Sequence, residues 1–551
     1  MRDKIKAHWS ILIALITLWV TMIILTLSTL QQTSGHLIYT LDDAYIHMAM
    51  AKNMALHGVY GVTPYEFSSS SSSILWTLLL ACVYWLFGVR EILPLILNML
   101  LASCALAAAY CFLKREVFNQ IVLLLVLFAI MFLTPFPAMI FCGMEHMLHI
   151  LLVFLFVPIA GHVLLKKKTT RQNTSSLFLV TVLLVLTRFE SYALVGMVLA
   201  LFLFQKRWKF ACAIFVSAAL PLFIYQYISI MHGWLWLPNS ILIRSNVPDV
   251  FNSQQAVEIS SGSLFERTGF FANYFHNILA GVHLYVLALT GLGLGIILFM
   301  RTRTIWTLSM LSLALFIVAA FAHLQFGRVG HFFRYESYLI AWGILALTVV
   351  CAELFKSFYA TPAAMWKRWI GGVVFAGIGA LLLKPHFSRG IDAWNEIPMA
   401  SRNIYEQQYQ MGLFLQKYYP VAIVAANDIG AISFLTNIKV LDLVGLASAD
   451  VLKLKMHHQY SQEQAEMLLQ HTGVQIAVVY DSWLYKSGFD ANSMGWKKMG
   501  EWKIQNNVVC GSDKVSFYSV QPKEEILLQR HLQEYSGILP RTIIQQGSYL
   551  Y

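Results

Sequence analysis

The sequence predicts a multi-pass α-helical membrane protein that carries a C-terminal α/β domain outside the membrane. Of the 551 residues, 58% are hydrophobic and 12% are charged, about half the charged fraction of a soluble domain. Apolar runs long enough to span a bilayer recur in residues 1–384, and short tracts of Lys and Arg separate them. In residues 385–551 this pattern gives way to alternating short strands and helices.

The apolar runs predict about eleven transmembrane helices, with the N-terminus in the cytoplasm. The first run is too long for a signal-peptide core, so we expect an uncleaved helix. The net charge of +11 comes from basic tracts between apolar runs, and eleven crossings place every tract on the cytoplasmic side. We therefore expect no nucleic-acid partner. The predicted spans are 9–30, 91–113, 121–137, 147–165, 176–187, 191–204, 211–231, 277–299, 305–323, 336–354 and 369–384.

Two apolar stretches allow more than one topology. A crossing at residues 73–88 would move Lys114 and the cluster 166–168 to the outside, so we predict a re-entrant or interfacial helix there. Residues 176–204 are predicted to form a helical hairpin. A single crossing would instead place Arg188 and Glu190 at mid-bilayer, at a cost of about 2.5–3.5 kcal/mol each.

The C-terminal segment, 385–551, is predicted to be a small extracytoplasmic α/β domain. Eleven crossings place it on the same side of the membrane as the first external loop, 31–90. Strand patterns alternate with helix patterns along the segment. Strands are expected at 421–426, 438–443, 475–480, 496–504 and 515–520, and helices near 399–418, 461–471 and 524–535.

Two adjacent carboxylates, Asp42 and Asp43, follow the first apolar run. An acidic pair next to a bilayer is costly unless it faces water, a cation or a substrate, which makes the pair a candidate site. The alternative is that both residues cap an amphipathic helix that lies on the membrane surface. The spacing of the residues leaves both interpretations open.

Further polar residues from separate segments fall on the same side in the predicted topology. Each has a structural explanation when taken alone, as a helix cap, an ion pair or a snorkelling side chain. Together they describe a carboxylate base beside several cations, which suits a lipid-phosphate substrate. The candidates for the donor phosphate are Arg334, His331, Arg244 and Arg328, and those for the pocket are Glu145, His146, Arg188, Glu190 and Lys52.

Several motifs resemble GT-C glycosyltransferases. The sequence DDAYIHMAMAKN (42–53), followed by a serine-rich turn and ILWTLLL (74–80), resembles the first external loop of bacterial arabinofuranosyl- and mannosyltransferase-like members. The chain departs from the common family pattern at Phe189–Ser191 and before Trp76, where it lacks a proline. Blocks that resemble the family in the same order are GMEH, TRFESY, LPNSILIRS, FRYESY, NDIGAISF and KVLDLVGLAS.

The resemblance implies a GT-C fold and transfer of a sugar from a polyprenyl-phosphate donor to a cell-envelope glycan or lipid acceptor. Transfer would take place on the outer face of a bacterial inner membrane. Phosphate is a good leaving group once a cation meets its charge, so one carboxylate base suffices for a single inverting displacement. By the same resemblance Asp42 is expected to be the base, with Asp43 orienting or tuning it.

The alternative function is that of a transporter or flippase for a lipid-linked substrate. Transporters typically have inverted repeats and broken helices, and the sequence shows neither pattern. It also lacks a phosphate-binding loop motif, which disfavours an ATP-driven pump and a nucleotide-sugar enzyme. No cofactor is expected, because no metal-ligand spacing such as HExxH occurs, although several histidines near the carboxylates leave a divalent-metal site open.

Overall fold

Apolar helices make up the membrane part of the protein and lie at the predicted segments. The computed structural model describes residues 8–117, 119–166, 169–236, 239, 242, 281–360, 365–457 and 459–550. The described helices up to residue 404 are, in chain order, α1 (Trp9–Gln32), α2 (Asp42–His57), α3 (Ile74–Phe87), α4 (Ile92–Leu113), α5 (Gln120–Leu133), α6 (Phe136–Phe141), α7 (His146–Leu165), α8 (Arg171–Thr187), α9 (Ser191–Phe204), α10 (Trp208–Met231), α11 (Val282–Thr302), α12 (Leu308–Phe326), α13 (Ser337–Ala360) and α14 (Met365–Ile404).

Seven of these helices, α1, α4, α7, α10, α11, α12 and α13, are long and apolar enough to cross a membrane. Helix α1, for example, has 24 residues and rises about 36 Å, more than the ~30 Å of a bilayer core. The protein is therefore a multi-pass membrane protein, as the composition predicts.

Other apolar helices are shorter. Helices α3, α5 and α9 have 14 residues each and rise about 21 Å, so length alone does not assign them as crossings. The total of eleven crossings and the re-entrant assignment of 73–88 stay predictions. The chain is extended at Arg188, between α8 and α9, where the sequence places the hairpin tip.

A continuous helix joins the membrane part to the C-terminal part. Helix α14 has 40 residues and continues through the predicted domain boundary at 384. The composition changes there, but the helix does not end. A π-helical turn at Tyr405–Tyr409 and helix α15 (Gln410–Tyr418) continue it. The division into 1–384 and 385–551 stays a prediction, and no flexible linker lies at 384.

The C-terminal part is an α/β domain built on one six-stranded sheet. The strand order is β2-β1-β3-β5-β4-β6; β1 pairs in parallel with β2 and β3, and the other pairs are antiparallel. Every predicted strand is present, and β6 is additional. The strands are β1 (Ile423–Ala426), β2 (Lys439–Asp442), β3 (Ile476–Val479), β4 (Lys497–Lys503), β5 (Lys514–Ser519) and β6 (Ile544–Gly547), and the helices are α16 (Gly430–Leu435), α17 (Ala449–Met456), α18 (Gln462–Thr472), α19 (Asp481–Lys486) and α20 (Glu525–Ser536).

Aromatic side chains fill the core of this domain. Trp502 is 1% exposed, and its ring lies 4.3 Å from that of Phe517 and 5.8 Å from that of Tyr535, measured between centroids. Phe414, from α15, packs edge-on against all three rings. This packing holds α15 and α20 on one face of the sheet, so Trp502 stabilises the fold.

Candidate active site

Asp43 lies in the first turn of α2 and forms an ion pair with Arg334, which precedes α13. Arg334 Nη2 is 2.6 Å from Asp43 Oδ2, and Nη1 is 2.9 Å from the Met144 sulfur. The Arg334 side chain is 1% exposed, whereas that of Asp43 is 14% exposed. Breaking a pair this deeply buried by removing one partner costs about 3–5 kcal/mol. Two predicted site residues from distant segments are thus in direct contact.

Asp42, the other member of the acidic pair, is bound to the C-terminal domain. Its carboxylate accepts hydrogen bonds from the backbone N–H groups of Gly430 (2.6 Å) and Ala431 (2.8 Å), the first residues of α16. A carboxylate at a helix N-terminus satisfies unpaired N–H groups and the positive end of the helix dipole. Asp42 therefore caps α16, whereas the structural alternative from the sequence has both carboxylates cap their own helix.

Lys52 lies ten residues further along α2 and holds the other end of α16. Its Nζ donates to the carbonyl oxygens of Ser433 (3.1 Å), Phe434 (2.7 Å) and Thr436 (2.9 Å). A cation at a helix C-terminus complements the negative end of the dipole. Burial lowers the pKa of Lys52 to about 8. Side chains of α2 thus form hydrogen bonds with both ends of α16. Lys52 belongs to this contact and not to the pocket predicted for it.

Asp428 lies beside Asp42 in this contact. It accepts hydrogen bonds from Gln408 Nε2 (2.8 Å) and the Tyr480 hydroxyl (3.0 Å). Burial, and then the like charge of Asp428, raise the pKa of Asp42 well above its usual range. Burial also raises the pKa of Asp428. From the sequence, Asp428 is simply another acidic residue in a turn, and nothing in its local pattern indicates a carboxylate partner.

A second buried network joins three of the predicted pocket residues. Arg188 donates from Nη1 to Glu145 Oε1 (2.7 Å) and from Nη2 to Glu190 Oε1 (2.6 Å). Glu145 also accepts from the Ser72 hydroxyl at 3.0 Å, and it lies 3.6 Å from His47. The residues before α3, α7 and α9 are therefore connected at one point through Glu145, Arg188 and Glu190.

Tyr335 connects the two groups of charges. The guanidinium carbon of Arg334 lies 5.0 Å from the centre of its ring, and that of Arg188 lies 5.8 Å from the same ring. The Asp43–Arg334 pair and the network around Glu145 are thus neighbours. Together they form the candidate active site. His146, at the start of α7, is 2% exposed and lies next to Glu145 in the sequence.

The four residues that directly precede Arg334 have strained backbone angles. Residues 330–333 all have left-handed backbone angles, with φ of 84° at Gly330, 46° at His331, 58° at Phe332 and 62° at Phe333. Each such residue other than glycine costs about 1–2 kcal/mol. Strain of this kind persists only where the surroundings enforce it, and it clusters at functional sites.

Glu336 and Arg389 hold this segment at both ends. Glu336 accepts from the Gly330 N–H at 2.9 Å, and Arg389 donates to the Phe333 carbonyl at 2.5 Å. The two side chains also pair with each other at 2.6 Å. Glu336 is fully buried, and Arg389 offsets its charge. This second ion pair is absent from the sequence-based list of site residues.

The remaining predicted phosphate ligands have other positions. The His331 ring is exposed and stacks on that of Tyr335, with 5.8 Å between centroids. Arg328 is exposed, and its carbonyl lies 2.9 Å from His323 Nε2. Arg244 lies outside the described residues. Within the described ranges, no three His, Cys, Asp or Glu side chains are grouped so that they could hold a metal ion.

Comparisons with known proteins support the fold. Residues 402–518 match a family described as a domain of unknown function, DUF8728. No curated protein matches the chain. Among solved structures, ArnT from Cupriavidus metallidurans in the apo state is 12% identical, with a TM-score of 0.50, 93% of this chain covered and 98% of that one. ArnT bound to undecaprenyl phosphate gives 11% identity, a TM-score of 0.49 and coverages of 94% and 99%. The chain thus has the ArnT-like GT-C fold that the motifs predict.

Proposed function

We propose that the protein is an integral membrane glycosyltransferase that moves a sugar from a polyprenyl-phosphate donor to a cell-envelope glycan or lipid acceptor. The observation that carries this proposal is the Asp43–Arg334 ion pair at 2.6 Å. In this proposal the carboxylate of the pair acts as the base and the guanidinium beside it binds the donor phosphate. Both residues also belong to motifs that resemble those of GT-C glycosyltransferases.

In this proposal Asp43 is the general base and Asp42 is a positioning residue. What supports the assignment is the difference between their partners. Both carboxylate oxygens of Asp42 already accept backbone N–H groups of α16, a role that accounts for this side chain without a substrate. Asp43 is paired through Oδ2 with a side chain that a phosphate can attract away. The choice of Asp42 that the family resemblance implies stays an untested prediction, and substitution of each residue distinguishes the two.

Arg334 is the proposed phosphate ligand. Guanidinium groups bind phosphate oxygens in bidentate fashion, and each hydrogen bond to a charged group contributes about 1.5–3 kcal/mol. Arg188 is a weaker candidate, because Glu145 and Glu190 already offset its charge. When the donor phosphate engages Arg334, it weakens the bond from that arginine to Asp43. Donor binding therefore releases the base.

The reaction is a single inverting displacement. The acceptor hydroxyl oxygen attacks the anomeric carbon of the sugar while its proton passes to Asp43. The bond between the anomeric carbon and the phosphate oxygen breaks, and the polyprenyl phosphate leaves with its electron pair, stabilised by Arg334. A general base of this kind contributes a factor of about 10²–10⁴ to the rate. The step balances without an oxidant or a reductant.

A structure of ArnT, whose fold this chain shares, contains undecaprenyl phosphate. A likeness in fold identifies no ligand by itself. We therefore infer the polyprenyl-phosphate donor from the charged residues of this chain. We place the enzyme in a bacterial inner membrane, with a cytoplasmic N-terminus and the site on the outer face. The positive-inside distribution of Lys and Arg supports this orientation.

The full chain in proteoliposomes tests this proposal against a flippase function. A panel of undecaprenyl-phosphate sugars is added with envelope glycans and lipids as acceptors, and release of free undecaprenyl phosphate is measured alongside movement of the donor across the bilayer. We expect release that depends on the acceptor. Movement of an intact donor without cleavage would instead establish the transporter alternative.

A further inference from the structure

Hydrogen bonds fix the two peptide planes that flank Arg334. The Phe333 carbonyl, which shares a plane with the Arg334 N–H, accepts from Arg389 Nη2 at 2.5 Å. The Arg334 carbonyl accepts from the Ser337 hydroxyl at 2.8 Å. Because a peptide unit is planar, holding these two carbonyls also sets the backbone angles of Arg334 between them.

Glu336 contacts three separate parts of the chain close to Arg334. Its Oε2 accepts from the Gly330 N–H at 2.9 Å, and its Oε1 lies 2.6 Å from Arg389 Nη2. Its Oε1 also lies 3.4 Å from His283 Nε2, in the first turn of α11. The Glu336 side chain is 0% exposed and that of Arg389 is 8% exposed, so water hardly weakens the pair.

Helix α14 holds Arg389 in a fixed place. A Cβ on the next residue, Gly390, would lie 2.6 Å from the Phe132 carbonyl oxygen, so α14 packs directly against the end of α5 there. The guanidinium carbon of Arg389 also lies 5.2 Å from the centre of the Phe333 ring. Arg389 therefore contacts both the ring and the carbonyl of Phe333, and a shift of its side chain would disturb both contacts.

The position of Arg334 matters twice in the proposed reaction. Its guanidinium pairs with Asp43 and then binds the donor phosphate, and a planar guanidinium forms two parallel bonds to phosphate only in the right orientation. A misplacement of about 1 Å can cost about 10²-fold in rate. The left-handed angles of residues 330–333 would relax if nothing held them, and Arg334 would move with them.

We propose that Glu336 and Arg389 are positioning residues for Arg334. The pair holds residues 330–333 in their strained conformation and so orients the guanidinium toward Asp43 and the donor phosphate. Neither residue of the pair touches the substrate. This inference rests on the proposed function and adds two positioning residues to it, one of them from the helix that continues into the C-terminal part.

A double-mutant cycle with Asp43→Asn and Arg334→Gln reports the position of Arg334 without any ligand. The coupling between the two residues is measured by equilibrium unfolding of the full chain, in wild type and in Glu336→Gln/Arg389→Gln. Arg389→Gln alone would leave Glu336 buried without its partner, whereas the paired change leaves no buried charge unpaired. We expect a coupling of about ten-fold in the unfolding equilibrium constant in wild type, and none in the paired variant.

The matched control is Arg402→Gln/Glu406→Gln. Arg402 also lies on α14, and its Nε is 2.7 Å from the buried Glu406 carboxylate. We expect this variant to keep the coupling of wild type. Binding of undecaprenyl phosphate is measured on the same proteins by native mass spectrometry. It should be about ten-fold weaker in Glu336→Gln/Arg389→Gln and unchanged in the control.

A coupling in Glu336→Gln/Arg389→Gln equal to that of wild type would overturn the inference. Loss of the coupling in the control as well would also overturn it, since any damage to α14 would then have the same effect. If the coupling is lost only in Glu336→Gln/Arg389→Gln but wild type does not bind undecaprenyl phosphate, the donor assignment fails while the positioning role stands. Unchanged binding in that variant would remove Arg334 as the phosphate ligand.

Discussion

Replacing Gly430 with alanine should release α16 from α2, because the contact has no room for a methyl group. A Cβ at this position would lie 2.1 Å from the Asp42 carbonyl oxygen and 2.6 Å from Asp42 Oδ2. The clash would separate the carboxylate from the N–H groups of Gly430 and Ala431. Burial favours the neutral form of Asp42, and each hydrogen bond between neutral groups is worth about 0.5–1.5 kcal/mol, so the loss is about 1–3 kcal/mol before relaxation.

Hydrogen exchange at the amides of α16 measures this loss directly. A decrease of about 1–3 kcal/mol in local stability corresponds to an exchange rate faster by a factor of about 5–150. The matched control is Gly537→Ala, because a Cβ there meets nothing within 4 Å and φ is −76°. If Gly430→Ala and Gly537→Ala both exchange like wild type, Asp42 does not hold the C-terminal domain in place.

Three further substitutions test the charges and the strain around the site. Phe332→Gly should lower the free energy of unfolding by about 2–3 kcal/mol in thermal denaturation, because removing its buried ring costs about 3–5 kcal/mol and relief of the left-handed angle returns only about 1–2 kcal/mol; an increase would contradict this. Arg188→Ala should destabilise by about 3–5 kcal/mol, and adding Glu145→Gln should recover part of that loss, since the buried carboxylate is then neutral. Asp428→Asn should stabilise the protein increasingly as pH rises above about 4, where aspartate ordinarily loses its proton. Burial raises the pKa of both Asp42 and Asp428, so the folded pair resists losing a proton that the unfolded chain releases, and asparagine reduces this penalty; a constant difference between variant and wild type would exclude this explanation.

The sequence predicts the helices well because hydrophobic length is a local property. The break at Arg188 is also predictable, since two charged residues interrupt an apolar run there. Helix α14 is different, because its polar second half continues the same helix beyond residue 384 without a change in backbone. Strand β6 contains two glutamines at the edge of the sheet and has no alternating apolar pattern.

The roles of the two carboxylates are not local properties. Adjacent residues on a helix point about 100° apart, so Asp42 and Asp43 face different neighbours. The partner of Asp42 lies 388 residues away in the chain and that of Asp43 lies 291 residues away. Only the folded chain brings these segments together. The left-handed conformation of residues 330–333 is equally hard to predict from the sequence, because Gly330 is the only residue among them that favours such angles.

The assignment of the base is the central claim, and the turnover of Asp43→Asn and Asp42→Asn tests it most directly. Both changes preserve side-chain size, and both proteins are compared with wild type on the undecaprenyl-phosphate sugar that wild type cleaves. Loss of the base should lower the turnover of Asp43→Asn by a factor of about 10²–10⁴. Asp42→Asn should keep turnover within about ten-fold of wild type while α16 exchanges faster. Full activity of Asp43→Asn, with activity lost in Asp42→Asn, would contradict the account and make Asp42 the base.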